Sequence, residues 1–341
     1  MSKVFTALEI LDEDGQYRRH LVRRFIDHLP AGEVLVRVCY SSLNYKDALS
    51  ASGNRGVTRH YPHTPGIDAA GVVEASSVPA WRAGDEVLVC DYDLGMNTAG
   101  GFGQYIRVPE SWVMARPALL SLYNCMTLGT AGFTAALCVH RLLAAGLTPE
   151  AGPVLVTGAS GGVGSVAVAL LAQLGHQVSA ASGKPESAER LRDLGAAAII
   201  GREQVIGARE KMLVRERWAG VVDTVGGEML AGAIKACRYG GIVTCCGNAA
   251  SHLLELSVYP FILRAVSLLG IDAAECSMAL RRQIWELLAG PWRLAALDKL
   301  VQTVSLDGLD REIERMLAGK HQGRTVVDLG SENTEESDEG H

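Results

Sequence analysis

The sequence predicts an α/β protein in which a β-rich first part precedes a doubly wound parallel sheet. Three observations support this class. Short runs typical of strands dominate residues 1–126. From residue 127 onward, helical stretches alternate with short apolar strands, which is typical of a parallel sheet with helices on both faces. A glycine-rich turn at residues 157–164 joins one such strand to a helix.

Each element follows from a local pattern. In the first part, residues 34–38 alternate, further strand patterns occur at 71–74 and 85–89, and a glycine-rich turn enters another strand within 100–108. In the second part, the predicted strands lie at 153–157, 177–181, 198–200, 219–223 and 241–246. The remaining predicted elements are helices at 258–266, 278–288 and 307–318 and strands at 267–271 and 325–329.

Length and composition describe an ordinary globular protein of about two domains. Of the 341 residues, 48% are hydrophobic and 21% charged, and the formal net charge is −6. This charge, with no long basic run, argues against a nucleic-acid partner. No apolar run approaches the ~18 residues that span a bilayer. The N-terminus has no signal-peptide pattern, so we expect a cytoplasmic protein without membrane association.

The cysteines and the last residues suggest no further site. The eight cysteines are scattered and form no Cys-x-x-Cys pair, so we expect buried thiols rather than disulfides. Residues 331–341 contain five acidic residues and no large apolar one. We expect a mobile acidic tail there, with an interaction role as the alternative.

The glycine-rich turn TGASGGVG carries the most functional information. It follows an apolar strand and opens an apolar helical stretch, and Ala159-x-Gly161-x-x-Gly164 matches the dinucleotide fingerprint with alanine in first place. Small residues let the backbone approach a pyrophosphate, and the helix N-terminus offers free N–H groups. The turn therefore predicts a dinucleotide site; the alternative is a turn without a ligand.

The residues downstream of this turn favour NADPH over NADH. An NAD site usually places Asp or Glu at the end of the next strand, about twenty residues on. Here the strand ends in Ser182-Gly183-Lys184, and Arg202 follows the third strand. A hydroxyl and cations suit a 2′-phosphate. The alternative is that Lys184 merely begins a surface helix.

Six strings along the chain identify a family. They are SSLNYKDA at 41–48, PGID at 65–68, GTAGFTA at 129–135, TGASGGVG at 157–164, DTVGG at 223–227 and QGRT at 322–325. Together with PFILR at 260–264, they resemble the zinc-independent, quinone-oxidoreductase-like branch of the medium-chain dehydrogenase/reductase superfamily. The resemblance extends to about residue 329, and within the branch it is strongest to NADPH-dependent acryloyl-CoA reductases.

The resemblance implies a domain organisation. A GroES-like β-barrel catalytic domain would cover residues 1–126, and a Rossmann NADPH-binding domain with a doubly wound parallel sheet would cover 127–267. Residues 268–330 would return to complete the catalytic domain, ahead of the acidic tail. The active cleft would lie where the two domains meet. Homodimers are common in the branch, so a homodimer is expected.

The resemblance also implies that no metal is bound. Zinc-dependent relatives hold their catalytic zinc through Cys, His and usually Cys. These positions fall on Asn44, Ile67 and the GTAGFTA segment, which offer no thiolate or imidazole. A zinc site needs three or four converging ligands, so we predict none. His60 and His63 are expected to be surface or hydrogen-bonding residues.

The candidate catalytic residues are Asn44, Tyr45 and Lys46. They offer an amide donor, a phenol and a cation to an enolate that forms when hydride reaches an activated alkene. Tyr45 could contact the cofactor or deliver a proton, and the resemblance favours the cofactor. Asp47 is expected to hold its own loop. The alternative for the whole group is a polar helix start.

The cofactor contacts are implied by the resemblance. The pyrophosphate would meet Ser160, Gly161, Gly162 and Val163, and the adenosine phosphate would meet Ser182, Gly183, Lys184 and Arg202. Asn248, Ile262 and Thr134 would line the nicotinamide, with Tyr45 also in contact.

The implied activity is NADPH-dependent reduction of the C=C bond of acryloyl-CoA to propanoyl-CoA, an oxidoreductase reaction on a CoA thioester. An NADPH:quinone or enone oxidoreductase is the main alternative, since it uses the same hydride geometry on another acceptor. A non-catalytic NADPH-binding protein is the remote one.

Overall fold

The computed structural model describes residues 3–295 and 297–330. The predicted acidic tail lies outside the described residues. The chain forms two compact units, one running up to Thr130 and again from Val301, and the other covering Ala131–Leu300. The finer domain boundaries expected from the family resemblance, after residues 126 and 267, stay predictions.

The strands, in chain order, are β1 Val4–Glu13, β2 Gln16–Phe25, β3 Val34–Ser42, β4 Asp68–Ser76, β5 Glu86–Cys90, β6 Tyr105–Val108, β7 Met114–Ala115, β8 Val154–Val156, β9 Val178–Ala181, β10 Ala198–Ile200, β11 Trp218–Asp223, β12 Cys237–Cys245, β13 Ser267–Gly270, β14 Val301–Ser305 and β15 Arg324–Asp328. The helices are α1 Tyr45–Ala51, α2 Leu122–Ala144, α3 Gly162–Gln173, α4 Ala188–Asp193, α5 Arg202–Ile206, α6 Gly227–Lys235, α7 Tyr259–Arg264, α8 Met278–Ala289 and α9 Leu306–Leu317.

The first unit is built on a mixed seven-stranded sheet. Its order is β14-β15-β3-β4-β5-β7, with β6 also paired to β3. The central strand β3 buries Val34, Val36 and Val38 in one hydrophobic cluster, as its alternating pattern predicts. The first residue of β4 and the last residues of β3 lie side by side, because the two strands are antiparallel. This pairing brings polar side chains from distant sequence positions together.

The second unit is the predicted doubly wound sheet. Six parallel strands lie in the order β10-β9-β8-β11-β12-β13. All three residues of β8 are fully buried, which fits a central parallel strand covered on both faces. The strand order reverses direction at β8, so the turn after β8 lies at the point where such sheets bind ligands. The predicted α/β class is confirmed.

The strands β1, β2, β7 and β14 carried no sequence prediction. β1 and β2 form a ten-residue-per-strand hairpin around Asp14 and Gly15. β2 has four arginines and many exposed positions, so its apolar alternation is weak. β14 is also half exposed, and it pairs only with β15, more than twenty residues later.

Within the part of the chain that the structure describes, one helix, α2, is long and apolar enough to cross a bilayer by length and composition alone. Of its most apolar window, 89% is buried inside the protein. Gly129 interrupts the helix with non-helical φ and ψ values of 52° and −158°. A core helix passes the same test, so α2 is weak support for a membrane span.

Candidate functional site

A buried polar cluster surrounds Asp68 in the first unit. Asp68 is the first residue of β4 and is fully buried. Its carboxylate accepts hydrogen bonds from Ser42 Oγ at 2.5 Å, Asn44 Nδ2 at 2.7 Å and Thr130 Oγ1 at 2.6 Å. The Thr130 backbone N–H also donates to it, at 2.9 Å from Oδ2. These donors use both carboxylate oxygens and fix the Asp68 side chain in one orientation.

Arg324, at the start of β15, supplies the positive charge of this cluster and is 2% exposed. Its Nη2 donates to Ser42 Oγ at 2.8 Å and lies 3.9 Å from Asp68 Oδ2. Its Nη1 donates to Asn44 Oδ1 at 3.1 Å, and its Nε to the Thr127 carbonyl at 3.0 Å. Burial lowers the pKa of Arg324, and the charge of Asp68 opposes that shift.

Gly129 makes room for the cluster. A Cβ on this residue would lie 2.5 Å from Asp68 Oδ2 and from Ser42 Oγ, and 2.7 Å from Arg324 Nη2. Its φ of +52° also disfavours any L side chain. The break in α2 at Gly129 therefore lets Thr130 present its N–H and hydroxyl to Asp68.

Asn44 is the predicted catalytic residue that this cluster holds. It is 7% exposed and precedes α1. Its two amide N–H groups donate to Asp68 and, at 3.3 Å, to the Ser42 carbonyl. Tyr45 is 46% exposed and Lys46 is half-buried, both in the first turn of α1. The structure thus brings Asn44 into the cluster and leaves Tyr45 at the surface of the unit.

Asp47 holds its loop, as predicted. It is fully buried, and its carboxylate accepts the backbone N–H groups of Asn44 at 2.7 Å, Gly66 at 3.1 Å and Ile67 at 2.9 Å. Burial raises its pKa to about 7, and the nearby charge of Asp68 adds to the rise, although the three N–H donors oppose it.

The two positions at which zinc-dependent relatives have ligands hold an amide and an apolar side chain here. Asn44 is bonded within the cluster, and Ile67 is an apolar residue with 2% exposure. Within residues 3–295 and 297–330, no group of three or more His, Cys, Asp or Glu side chains could hold a metal ion. His63 bonds through Nε2 to the Gly95 carbonyl at 2.8 Å, and His60 is exposed.

A second candidate site lies in the second unit, at the glycine turn. It follows β8 and leads into α3, which begins at Gly162 without a side-chain cap. A Cβ on Gly164 would overlap the Gly158 carbonyl oxygen, so the close approach of helix and turn needs glycine there. The first N–H groups of a helix have no intrahelical partner. The turn therefore fits a pyrophosphate.

Asp223 braces this turn from the neighbouring strand β11. Its carboxylate accepts the Thr157 hydroxyl at 2.7 Å and the Gly226 N–H at 2.8 Å. Thr224 Oγ1 donates in turn to the Thr157 carbonyl at 3.0 Å. Asp223 is therefore a structural residue that holds the turn before α6.

The predicted adenosine-phosphate residues lie together. Ser182 Oγ is 3.2 Å from Ser160 Oγ, and it accepts the Lys184 N–H at 3.1 Å. The Arg202 guanidinium lies against Gly183, where any Cβ would overlap it. Two hydroxyls, from Ser160 and Ser182, thus lie together, and the Arg202 guanidinium lies against the neighbouring Gly183, an arrangement that suits a phosphate.

The predicted nicotinamide residues come from three elements. Asn248 lies three residues beyond the end of β12, and Ile262 lies in α7 with 66% of its side chain exposed. Thr134 lies in α2 and is 7% exposed. The structure describes these positions, and their contact with a nicotinamide stays a prediction.

Sequence reasoning missed Asp68 and Arg324 as site residues, although both lie in strings that identified the family. Each is a charged residue at the start of an apolar strand. That placement was the available signal, since a charge entering a buried strand needs a partner.

Comparisons with known proteins decide the family. Residues 30–118 match the alcohol dehydrogenase GroES-like domain, and residues 162–289 match the zinc-binding dehydrogenase domain. The acrylyl-CoA reductase AcuI of Ruegeria pomeroyi is 42% identical over 96% of this chain and 100% of its own length. The chain belongs to the medium-chain dehydrogenase/reductase superfamily. It is therefore an oxidoreductase of that superfamily, and the predicted resemblance is confirmed.

Other superfamily members are equally similar. A Bacillus subtilis protein named "Putative quinone oxidoreductase YhfP" is 42% identical over 96% of this chain and 100% of its own length. The crystal structure of the YhdH oxidoreductase from Salmonella enterica in complex with NADP has a TM-score of 0.92, with 42% identity over 95% of this chain and 99% of that one. The structure of B. subtilis YhfP with NAD bound has a TM-score of 0.93, with 42% identity over 96% and 100%.

Proposed function

We propose that this chain reduces the C=C bond of acryloyl-CoA to propanoyl-CoA with NADPH and without a metal ion. The observation that carries the proposal is the full-length similarity to the R. pomeroyi acrylyl-CoA reductase. The candidate site is compatible with it, because Asn44 and Ile67 occupy the positions of zinc ligands and offer none. Without a Lewis acid to stabilise an alkoxide, hydride transfer to an activated alkene is easier than hydride transfer from an alcohol.

NADPH supplies the hydride when it is bound. The turn and the start of α3 would hold its pyrophosphate at Ser160, Gly161, Gly162 and Val163. The Gly161 N–H donates to the Gly158 carbonyl at 2.9 Å, so the backbone donors would come from the other three residues. Ser182, Lys184 and Arg202 would hold the 2′-phosphate, and the space kept by Gly183 lets Arg202 approach. The Salmonella relative holds NADP and the Bacillus relative holds NAD, so the preference of this chain for NADPH rests on these three side chains.

The protein stabilises the charge that follows hydride transfer to the β-carbon. The thioester carbonyl withdraws electrons from that carbon, and an enolate develops on its oxygen. Lys46 offers a cation and Asn44 an amide. Since both Asn44 N–H groups are bonded, the substrate oxygen would replace the Ser42 carbonyl, the longer of the two bonds at 3.3 Å. The proton for the α-carbon comes from water or from Tyr45.

The test compares NADPH oxidation with acryloyl-CoA, crotonoyl-CoA and a benzoquinone. We expect the highest kcat/KM with acryloyl-CoA, and a strong preference for the quinone would refute the substrate assignment. Tyr45→Phe should lower turnover or NADPH affinity, while wild-type kinetics in this variant would remove Tyr45 from the site. Elemental analysis of the purified protein should find less than stoichiometric zinc.

An NADPH:quinone or enone oxidoreductase is the second candidate. The observation in its favour is that the Bacillus relative named for quinone reduction is as similar as the acrylyl-CoA reductase. Both reactions use the same hydride geometry, so the substrate comparison decides between them.

We further propose a cytoplasmic homodimer. All eight cysteines are free thiols, which suits a reducing compartment. Exposed apolar side chains lie in and before α7, namely Leu253, Val258 and Leu263, each more than half exposed. A second copy could cover such a patch. Sedimentation velocity should show a dimer, and a monomer at micromolar concentration would refute it.

A further inference from the structure

Arg281 is a buried cation in the second unit to which the proposed chemistry gives no role. It lies in the first turns of α8 and is 2% exposed. Burying a guanidinium is costly unless its donors are used. The contacts of the guanidinium therefore indicate the structural role of Arg281.

One side of Arg281 fixes the loop that follows β13. Its Nη2 donates to the Ala273 carbonyl at 2.8 Å and to the Ala274 carbonyl at 3.3 Å. The loop is also braced at its start, since Ile271 N–H donates to the Cys245 carbonyl at 3.0 Å. Asp272 Oδ1 accepts the Ala274 N–H at 2.9 Å, which shapes the turn from within. Arg281 in α8 therefore holds this turn in place through hydrogen bonds to two of its backbone carbonyls.

The other side of Arg281 faces α2. Its guanidinium carbon lies 4.9 Å from the centre of the Phe133 ring, within cation–π distance. Phe133 is fully buried and stacks on Trp285, with ring centres 6.3 Å apart and planes 12° apart. Thr134, a predicted nicotinamide contact, is the next residue. Arg281 therefore joins two segments, the loop at 271–274 and the part of α2 around Phe133.

The joined loop lies at the ligand-binding edge of the parallel sheet. β8, β11, β12 and β13 are parallel, so their carboxyl ends share one edge. The glycine turn follows β8 at this edge, Asn248 lies beyond β12, and the loop at 271–274 follows β13. Ligands of such sheets bind outside the carboxyl ends. The loop is thus beside the position predicted for the nicotinamide, on the side away from the adenosine.

We propose that Arg281 is a positioning residue that fixes the loop at 271–274 and the Phe133 segment around the nicotinamide ring of the bound cofactor. This inference rests on the proposed function for its link to catalysis. Because hydride transfer depends on placement within about an ångström, a loosened loop should slow the hydride step. The phosphate contacts lie at other strand ends and should keep most of the NADPH affinity.

The experiment compares Arg281→Met and Arg281→Lys with the matched variant Arg238→Met. Arg238 also donates to a backbone carbonyl, that of Ala151 at 2.8 Å, but at the amino end of the sheet. In Arg281→Met we expect kcat to fall about 10- to 100-fold with KM for NADPH within about threefold. The deuterium isotope effect with NADPH labelled at C4 should rise. The kcat and isotope effect of Arg281→Lys should lie between those of the wild type and Arg281→Met. Arg238→Met should keep the wild-type values of both.

Two readouts do not depend on turnover. In the ligand-free protein, amide hydrogen exchange in peptides covering 271–275 should speed up in Arg281→Met and not in Arg238→Met. With NADPH bound, the fluorescence of the reduced nicotinamide should report a more solvent-exposed ring in Arg281→Met alone. If wild-type protein reduces no enone or quinone, the proposed function fails, and these two readouts still decide the role of Arg281.

Two results would overturn the inference. One is an Arg281→Met protein with wild-type isotope effect, nicotinamide fluorescence and exchange at 271–275. The other is an equal loss in Arg281→Met and Arg238→Met, which would show general destabilisation instead of positioning. If Arg281→Met does not fold, the same measurements on Arg281→Lys test the inference. Lysine keeps the positive charge but cannot bond both the Ala273 and Ala274 carbonyls as the guanidinium does.

Discussion

The cluster around Asp68 and the glycine turn at 157–164 are both polar, but they use their polar groups in opposite ways. In the cluster, the carboxylate of Asp68 and the guanidinium of Arg324 are bonded to the protein itself. At the turn, α3 begins without a side-chain cap and keeps backbone N–H groups for an anion. The first arrangement stabilises one conformation of its unit, and the second is shaped for a ligand. Substitutions should therefore affect folding in the cluster and cofactor affinity at the turn.

The largest expected effect comes from removing the cation of the cluster. Arg324→Met leaves Asp68 buried without its countercharge, and breaking such a pair costs about 3–5 kcal/mol. Chemical denaturation of the first unit should show this loss in the free energy of unfolding. Lys3→Met, which removes the exposed ion pair with Glu74, is the control and should cost under about 1 kcal/mol. Equal effects in the two variants would contradict the cluster's structural role.

The next effect tests the space kept by Gly129. Gly129→Ala adds a Cβ that would lie 2.5 Å from Asp68 Oδ2, at a φ of +52°. Overpacking costs about 1–3 kcal/mol, and the left-handed backbone adds about 1–2 kcal/mol. Gly319→Ala is the matched control, because its φ is +67° but nothing lies within 4 Å of the added Cβ. Thermal unfolding should separate the two variants, and a Gly129→Ala protein no less stable than Gly319→Ala would contradict the expectation.

At the turn, the expected effect is on cofactor choice. Arg202→Ala and Lys184→Ala should each weaken NADPH binding about tenfold or more, because a hydrogen bond to a charged group contributes about 1.5–3 kcal/mol. NADH binding should change little. Arg209→Ala, which removes an exposed ion pair with Glu228, is the control. Titrations of both cofactors measure the ratio, and an unchanged NADPH-to-NADH ratio would place the 2′-phosphate elsewhere.

The smallest change, taken per pH unit, is the pH dependence of stability that Asp47 confers. Burial raises its pKa from 3.8 to about 7, so between these values the folded state holds a proton that the unfolded state has lost. The free energy of unfolding should therefore fall as pH rises from about 4 to about 7, by at most about 1.4 kcal/mol per pH unit. Above about pH 7 it should no longer depend on Asp47. Asp47→Asn should flatten this slope, whatever its overall cost. A slope unchanged by the substitution would assign the titration to another group.

The difference between the two regions also explains what could be predicted from sequence. The glycine turn is local: strand, turn and helix start lie within about twenty residues, and backbone geometry alone restricts which residues fit. Ser182, Lys184 and Arg202 follow at the ends of successive strands, where a parallel sheet brings side chains to one edge. The cluster is not local. Arg324 and Ser42 are 282 residues apart, and no periodicity links them.

The sequence by itself determined the α/β class and the alternation of strands and helices in the second unit, and it predicted a phosphate-binding turn. Each of these depends on short-range periodicity and on where glycine is tolerated. Only the tertiary structure decided that Asp68 and Arg324 form a buried pair, that Gly129 breaks α2 to admit it, and that both amide N–H groups of Asn44 are already used. Those facts depend on strand pairing between distant segments. A buried charge needs a partner that is close in space, and such a partner can lie anywhere along the chain.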